Sequence, residues 1–329
     1  MKPLLILLLA ALSLPATDRP ADERPVFATW NEPWHDEVVR GSAAFVKARV
    51  IRNEDGVRVW FRRSKHLAGM DVPPVFSVDR YTRIRLQSYS TGSYPDLNFA
   101  VGEEVYLFLD RETRPPGWGL ATPASAVAGI SPQGVSATYR ISMDQALVPP
   151  DVYERSQVAI FRHLHDEPVD RAWADEFMET WLRKPPAELV IGSAEASGDF
   201  FMQHVALELF HRLGGDEDVA LLEPFLTCPT AQTRVSAVRA LGRIDTEAAR
   251  ERLLAYLKAK SDGNSRWMAV EALRRQDARA LAPRLRALLV NLDDERAGFR
   301  LNIMDPRVGT RFPSTVRDAI LGLLHHWER

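Results

Sequence analysis

Arg234-Val235-Ser236-Ala237-Val238-Arg239-Ala240-Leu241-Gly242 returns 32 residues later as Arg266-Trp267-Met268-Ala269-Val270-Glu271-Ala272-Leu273. Self-similarity at a period of 20–50 residues is the signature of a repeat architecture. A looser copy runs from Gln203 to Phe210, with Ala206 at the small position. Another runs from Val316 to Leu323, with Ala319 and Gly322 at the small positions. Each of the first three copies is followed by a second apolar helix: Val219–Leu226, Ala248–Leu257 and Leu281–Leu289. The pairs Leu221/Leu222, Leu253/Leu254 and Leu288/Leu289 mark their buried sides. Small residues at fixed spacing let one helix approach the next, and the leucines fill the layer between. A lone helix pair would leave an apolar face in water, so the pairs must stack.

The pattern R-x-x-A-V-x-A-L-G resembles the HEAT-like repeats also found in phycobilisome lyases. The resemblance implies an α-helical solenoid over residues 151–329. It implies no lyase chemistry, since only the repeat matches. The last copy departs from the pattern, with Val316 in the Arg position, as a terminal capping repeat would. An insertion at about 293–313 interrupts the period and carries Arg296, Arg300, Arg307 and Arg311. It reads either as a loop covering the end of the stack or as a partner-binding loop.

Upstream the periodicity is different. Phe45 to Ile51 reads as a strand, Asn53-Glu54-Asp55-Gly56 as a turn, and Val57 to Phe61 as the returning strand. Tyr81 to Leu86 alternates, with Ile84 and Leu86 opposite Arg83 and Arg85. Val105 to Leu109 is an unbroken apolar run, expected of a strand covered on both faces. Gly92, Gly102, Pro115-Pro116-Gly117 and Pro132-Gln133-Gly134 punctuate the region. Val38-Val39-Arg40-Gly41 before a strand, and Val101-Gly102-Glu103-Glu104-Val105-Tyr106-Leu107-Phe108-Leu109 later, together resemble exported domains of OB or netrin-like barrel type. Netrin-like metalloprotease inhibitors act through an N-terminal cysteine, which this chain lacks. The fold class expected is therefore multidomain α and β: a small antiparallel β-barrel of OB or netrin-like type over residues 26–150, then an α-solenoid of HEAT-like helix pairs. Helices are expected over Tyr153–Leu164, Arg171–Arg183 and Phe200–Leu213, where apolar residues recur three and four apart.

The first 16 residues read as a signal peptide. Lys2 precedes the apolar run Leu4–Leu12, which is too short to span a bilayer, and Ala16 suits cleavage. Residues 17–25 read as a polar linker. The chain of 329 residues carries a net charge of −2, which excludes any overall attraction to nucleic acid or anionic membrane. From residue 230 onward, however, 19 Lys/Arg face 12 Asp/Glu, so this part is +7 and the rest −9. Cys228 is the single cysteine, so no internal disulfide forms. It reads as a buried thiol, because nothing nearby marks a base for it.

No constellation of catalytic type emerges. His163 and His165, at i and i+2, point apart on a helix. His325-His326 and Asp293-Asp294-Glu295 are adjacent runs with no ligand spacing. Metal-protease, phosphate-loop and nucleophile-elbow motifs are absent from the sequence. Phe27, Trp30 and Trp34 read as a cap on the barrel or as cleft-lining rings. The reading is an exported, non-enzymatic protein-binding or scaffold module of the bacterial cell envelope, with no cofactor and no nucleic-acid partner. Its expected partner is a protein or an acidic envelope component, held by Arg239, Arg243, Arg274, Arg275, Arg307 and Arg311. The alternatives are a hydrolase-type site at the domain junction and an inhibitor of an exported hydrolase.

Overall fold

The computed structural model describes residues 35–54, 58–79, 84–86, 93–95, 99–111, 117–122, 125–138, 145–190, 193, 195–259, 262–292 and 315–329. The stretches read as signal peptide and linker, the aromatic group Phe27, Trp30 and Trp34, and the insertion with Arg307 and Arg311 lie outside the described residues.

After a short helix α1 (His35–Gly41), strands β1 (Ala44–Glu54) and β2 (Arg58–Gly69) form the expected antiparallel pair. The second strand runs well beyond Phe61, because its polar outer positions did not mark its length. β3 (Val75–Asp79) pairs with β2, and β4 (Ile84–Leu86) and β5 (Ser93–Pro95) form a separate small ribbon. β6 (Glu104–Arg111) and β7 (Trp118–Leu120) complete a ring. The ring order is β1-β2-β3-β7-β6, closed by β6 against β1, and only β3 and β7 pair in parallel. It is a five-stranded barrel. β8 (Val127–Ser131), β9 (Gly134–Thr138) and β10 (Gln145–Val148) extend the sheet from β6. The β8–β9 turn needs Gly134, which sits at φ +135°, where a Cβ would lie 2.7 Å from the Val148 carbonyl oxygen.

β6 is buried on both faces, as its apolar run implied. Val105, Leu107 and Leu109 point into the barrel core with Val46, Val50, Phe61 and Phe76. Tyr106 and Phe108 point outward into a second core that continues through the helices. There Phe45 stacks on Phe108 at 4.4 Å, and Tyr106 meets Tyr153 of α2 (Pro150–Leu164) at 4.8 Å. Burying each such ring stabilises by roughly 1.5–3 kcal/mol. The outer face of the barrel and the helical region thus share one continuous apolar core, while the barrel interior forms its own.

The expected helices appear as α2, α3 (Arg171–Leu182), α4 (Gly198–Leu213), α6 (Ala231–Leu241), α7 (Glu247–Lys258), α8 (Gly263–Arg275) and α10 (Val316–Trp327). α3, α4, α6, α8 and α10 pack side by side in that order. Two of the second helices are interrupted. Asp216–Leu222 and Arg279–Leu281 are 3-10 turns that lead into α5 (Glu223–Leu226) and α9 (Ala282–Leu289). Pro224 and Pro283 stand in the first turn of those helices, where a missing N–H is tolerated but the preceding residue resists the α conformation.

The arginine that opens the repeat pattern has a structural task. Helix ends leave carbonyl oxygens without intrahelical partners. Arg234 donates to the Cys228 carbonyl at 2.6 Å and bonds Asp262, the N-cap of the next repeat. Arg266 donates to the Leu257 carbonyl at 3.1 Å. In the last copy Arg317 does the same for Leu289 at 2.7 Å and Leu292 at 3.3 Å. The departure at Val316 is therefore a shift of this arginine by one residue. No helix among the described residues is long and apolar enough to cross a membrane.

The small position at Gly242 works by contact, whereas Gly322 is exposed and a Cβ there would meet nothing within 4 Å. A Cβ on Gly242 would lie 2.5 Å from the Ala272 Cβ on α8. Gly242→Val should therefore push α6 from α8 and cost about 1–3 kcal/mol, measured as the loss in urea-denaturation free energy. An unchanged value would show that the close approach does not matter.

Candidate functional site

The repeat register puts charged residues at matching positions on successive helices. Glu208 on α4, Arg239 on α6 and Glu271 on α8 are equivalent, and one turn further on Arg212, Arg243 and Arg275 are equivalent. All lie at or near the C-terminal ends of their helices, where cations are favoured by the exposed carbonyls.

Arg239 corrects the surface assignment made from sequence. It is 1% exposed. Its guanidinium donates to Glu208, itself 3% exposed, and to Asp36 of α1 at 3.2 Å. Arg212 meets the same Asp36 carboxylate at 2.9 Å and lies 3.6 Å from Glu208. Two carboxylates and two guanidinium groups thus form a closed cluster between α1, α4 and α6. Burial raises the Asp36 carboxyl, but Arg212 and Arg239 outweigh it and hold its pKa below the ordinary value. Burial lowers the Arg212 pKa to about 10, with Arg239 adding repulsion. Burial also disfavours charged Arg239, but Glu208 and Asp36 prevail and raise its pKa.

Two histidines line the cluster as neutral rings. His211 Nδ1 donates to the Arg239 carbonyl at 2.9 Å, and burial followed by repulsion from Arg212 holds its pKa well below 6.5. His35 Nε2 bonds the Gln157 side-chain oxygen at 2.7 Å and packs edge-on to Phe108, and burial lowers its pKa too. The cluster therefore joins α1 and the barrel to the repeats.

Outside this core the other sequence-selected arginines among the described residues reach solvent. Arg243, Arg274 and Arg275 are exposed. Arg274 bonds Glu271 of its own helix. Arg243 makes no ion pair among the described residues, and together with burial it lowers the pKa of His163. His165 turns away from His163, its ring nitrogens lying 2.9 Å from the Phe161 carbonyl and 3.0 Å from that of Ser42. Among the described residues no group of three or more His, Cys, Asp or Glu is placed to hold a metal ion. Cys228 is buried, and burial pushes its thiol up.

Asp36, Glu208, Arg212, His35 and His211 were not singled out from sequence. One signal was present: Glu208 and Arg239 carry opposite charge at the same repeat position, so adjacent helices bring them together. Asp36 carried no such signal, because 203 residues separate it from Arg239.

A family model for HEAT repeats matches residues 219–300. The match spans the helices from the first 3-10 turn through α9. No curated protein and no solved structure matches the chain.

Removing one partner of a buried ion pair strands the other. Glu208→Gln should cost about 3–5 kcal/mol, and the apolar double variant Glu208→Met/Arg239→Met should lose less than the single one. Denaturant titration of the two variants checks this order. The histidines set a pH dependence. Their folded pKa values lie below the unfolded ones, so the unfolded chain binds more protons as pH falls through about 6.5. Stability should fall on acidification from neutral pH, by at most about 1.4 kcal/mol per pH unit for each histidine. Asp36 adds a loss in the same direction at lower pH, as its carboxylate is protonated. Thermal midpoints measured across pH should drop less steeply in His211→Gln than in the parent.

Proposed function

We propose that the protein is an exported, non-enzymatic protein-binding or scaffold module of the bacterial cell envelope, whose HEAT-type helices form a solenoid that holds an acidic partner on its arginine rim. The observation that carries this reading is the rim itself. Arg243 and Arg275 are exposed at the same position of successive repeats, with Arg274, paired to Glu271 of its own helix, beside them. A row of guanidinium groups on rigid helix ends suits bidentate contact with carboxylates. The HEAT-repeat match supports a protein-binding role for residues 219–300. The barrel is read as OB or netrin-like. Its ring order and single parallel pair support that reading, since an OB-fold is a five-stranded Greek-key barrel. The apolar run Leu4–Leu12 ending at Ala16 supports export.

A hydrolase-type site at the domain junction is the second reading, favoured by the buried His211 and Glu208 beside the half-buried Asp36. The ion pairs engage both carboxylates, so the cluster serves better as a clamp than as a reaction site.

The test uses the whole chain, because barrel and helices share a core. Protein recovered from the host envelope should begin near Thr17, and an intact N-terminus would remove the export step. Arg243→Glu/Arg274→Glu should abolish retention of the acidic partner captured by the parent at moderate salt, with an unchanged melting temperature. Arg275 is left in place there because its charge acts on Asp36. Equal retention by the double variant would refute the rim.

A further inference from the structure

A concavity of about 270 Å3 lies between the barrel and the helices and shares no residue with the ion cluster. One wall is the stretch Lys65–Leu67 of β2, and the facing wall is one side of α2, where Val158 and Arg162 stand a turn apart. Trp173 of α3 closes one end. Its charges sort into two groups. Lys65 is engaged by Glu154, which also accepts from the Tyr106 hydroxyl at 2.9 Å. Arg155 lies over the Trp173 ring, 4.5 Å from its centroid, and 3.4 Å from Asp170. Both acids of the groove are therefore taken. Arg162 and His66 make no ion pair among the described residues, and both line the same space.

A groove with an apolar floor, one aromatic wall and a guanidinium without a counter-ion is complementary to an anion that carries an apolar body. Clefts between structural units that combine apolar walls with a few directed polar groups are the common form of small-ligand sites. The geometry points to this groove as a binding site for a small organic carboxylate with a flat apolar body. Arg162 receives the carboxylate in a two-pronged contact, with His66 beside it. Leu67 and Val158 cover the faces of the body, and the Trp173 ring packs against it. The volume lies below the usual range of about 300–1,000 Å3 for ligand sites. A free acid with a single ring fits that size better than a length of peptide.

Isothermal titration of the full chain with 3-phenylpropionate, and with its neutral amide, tests the assignment. The acid should bind saturably, and the amide should bind about tenfold more weakly or worse, as expected for loss of a charge-assisted contact. Arg162→Gln should weaken the acid by a similar factor and leave the amide unchanged. Should that variant not fold, the acid-to-amide ratio on the parent protein still decides. Equal binding of acid and amide, or no heat with either at millimolar concentration, overturns the proposal. A blocked peptide ending in phenylalanine that binds more tightly than the free acid also overturns it, by reassigning the groove to a chain end.

Discussion

Strand β6 has water on neither face, and the rest of the architecture follows from that constraint. Alternation sends Val105, Leu107 and Leu109 into the barrel and Tyr106 and Phe108 out of it. The outward rings need cover, and α2 supplies it with Tyr153, Ile160 and Phe161. Phe45 on the neighbouring strand β1 joins the same layer. A barrel with one oily outer face and a helix stack with one unmatched end satisfy each other. The Tyr106 hydroxyl is the one polar atom of that layer's large rings on β6, and its bond to Glu154 removes the cost of burying it.

The ion cluster performs a different task at the same junction. Apolar layers define proximity but tolerate sliding, whereas a buried guanidinium accepts few arrangements. Arg239 must find Glu208 on the preceding helix and Asp36 on α1 at once. The docking of α1 onto α4 and α6 meets both demands. Buried ion pairs of this kind add little net stability over apolar packing, because desolvation offsets their attraction. Their effect here is to fix register. The neutral rings of His35 and His211 complete the cluster without adding a fifth charge to it.

Two surfaces remain after these interactions are assigned, and they differ in character. The rim formed by Arg243, Arg274 and Arg275 is exposed, strongly basic and suited to a macromolecule with complementary charge. The groove at Arg162 and Trp173 is concave and small. The two proposals place a large partner at the repeat edge and a small acid in the groove beside the barrel, and α2 adjoins both through His163 and Arg162.

The repeat is fully legible in the sequence, because a stack of like helices requires small and apolar residues at fixed intervals and those intervals survive there. The two-sided strand Val105–Leu109 and the hairpin of β1 with β2 are legible for the same reason, since burial on one face or two leaves a period. The role of Arg239 is not. Its position in R-x-x-A-V-x-A-L-G looks like a solvent position, and a charge there reads as surface. The ring order of the barrel is equally hidden, because pairing between β1 and β6 joins residues that no local pattern connects. The sequence by itself determined the kind of the repeat helices and of strands β1, β2 and β6, and the apolar face each buries, since both follow from local periodicity and backbone chemistry. Only the tertiary structure decided which charges lie inside and which face water. That depends on which helix end meets Asp36, a contact across 203 residues that no local rule encodes.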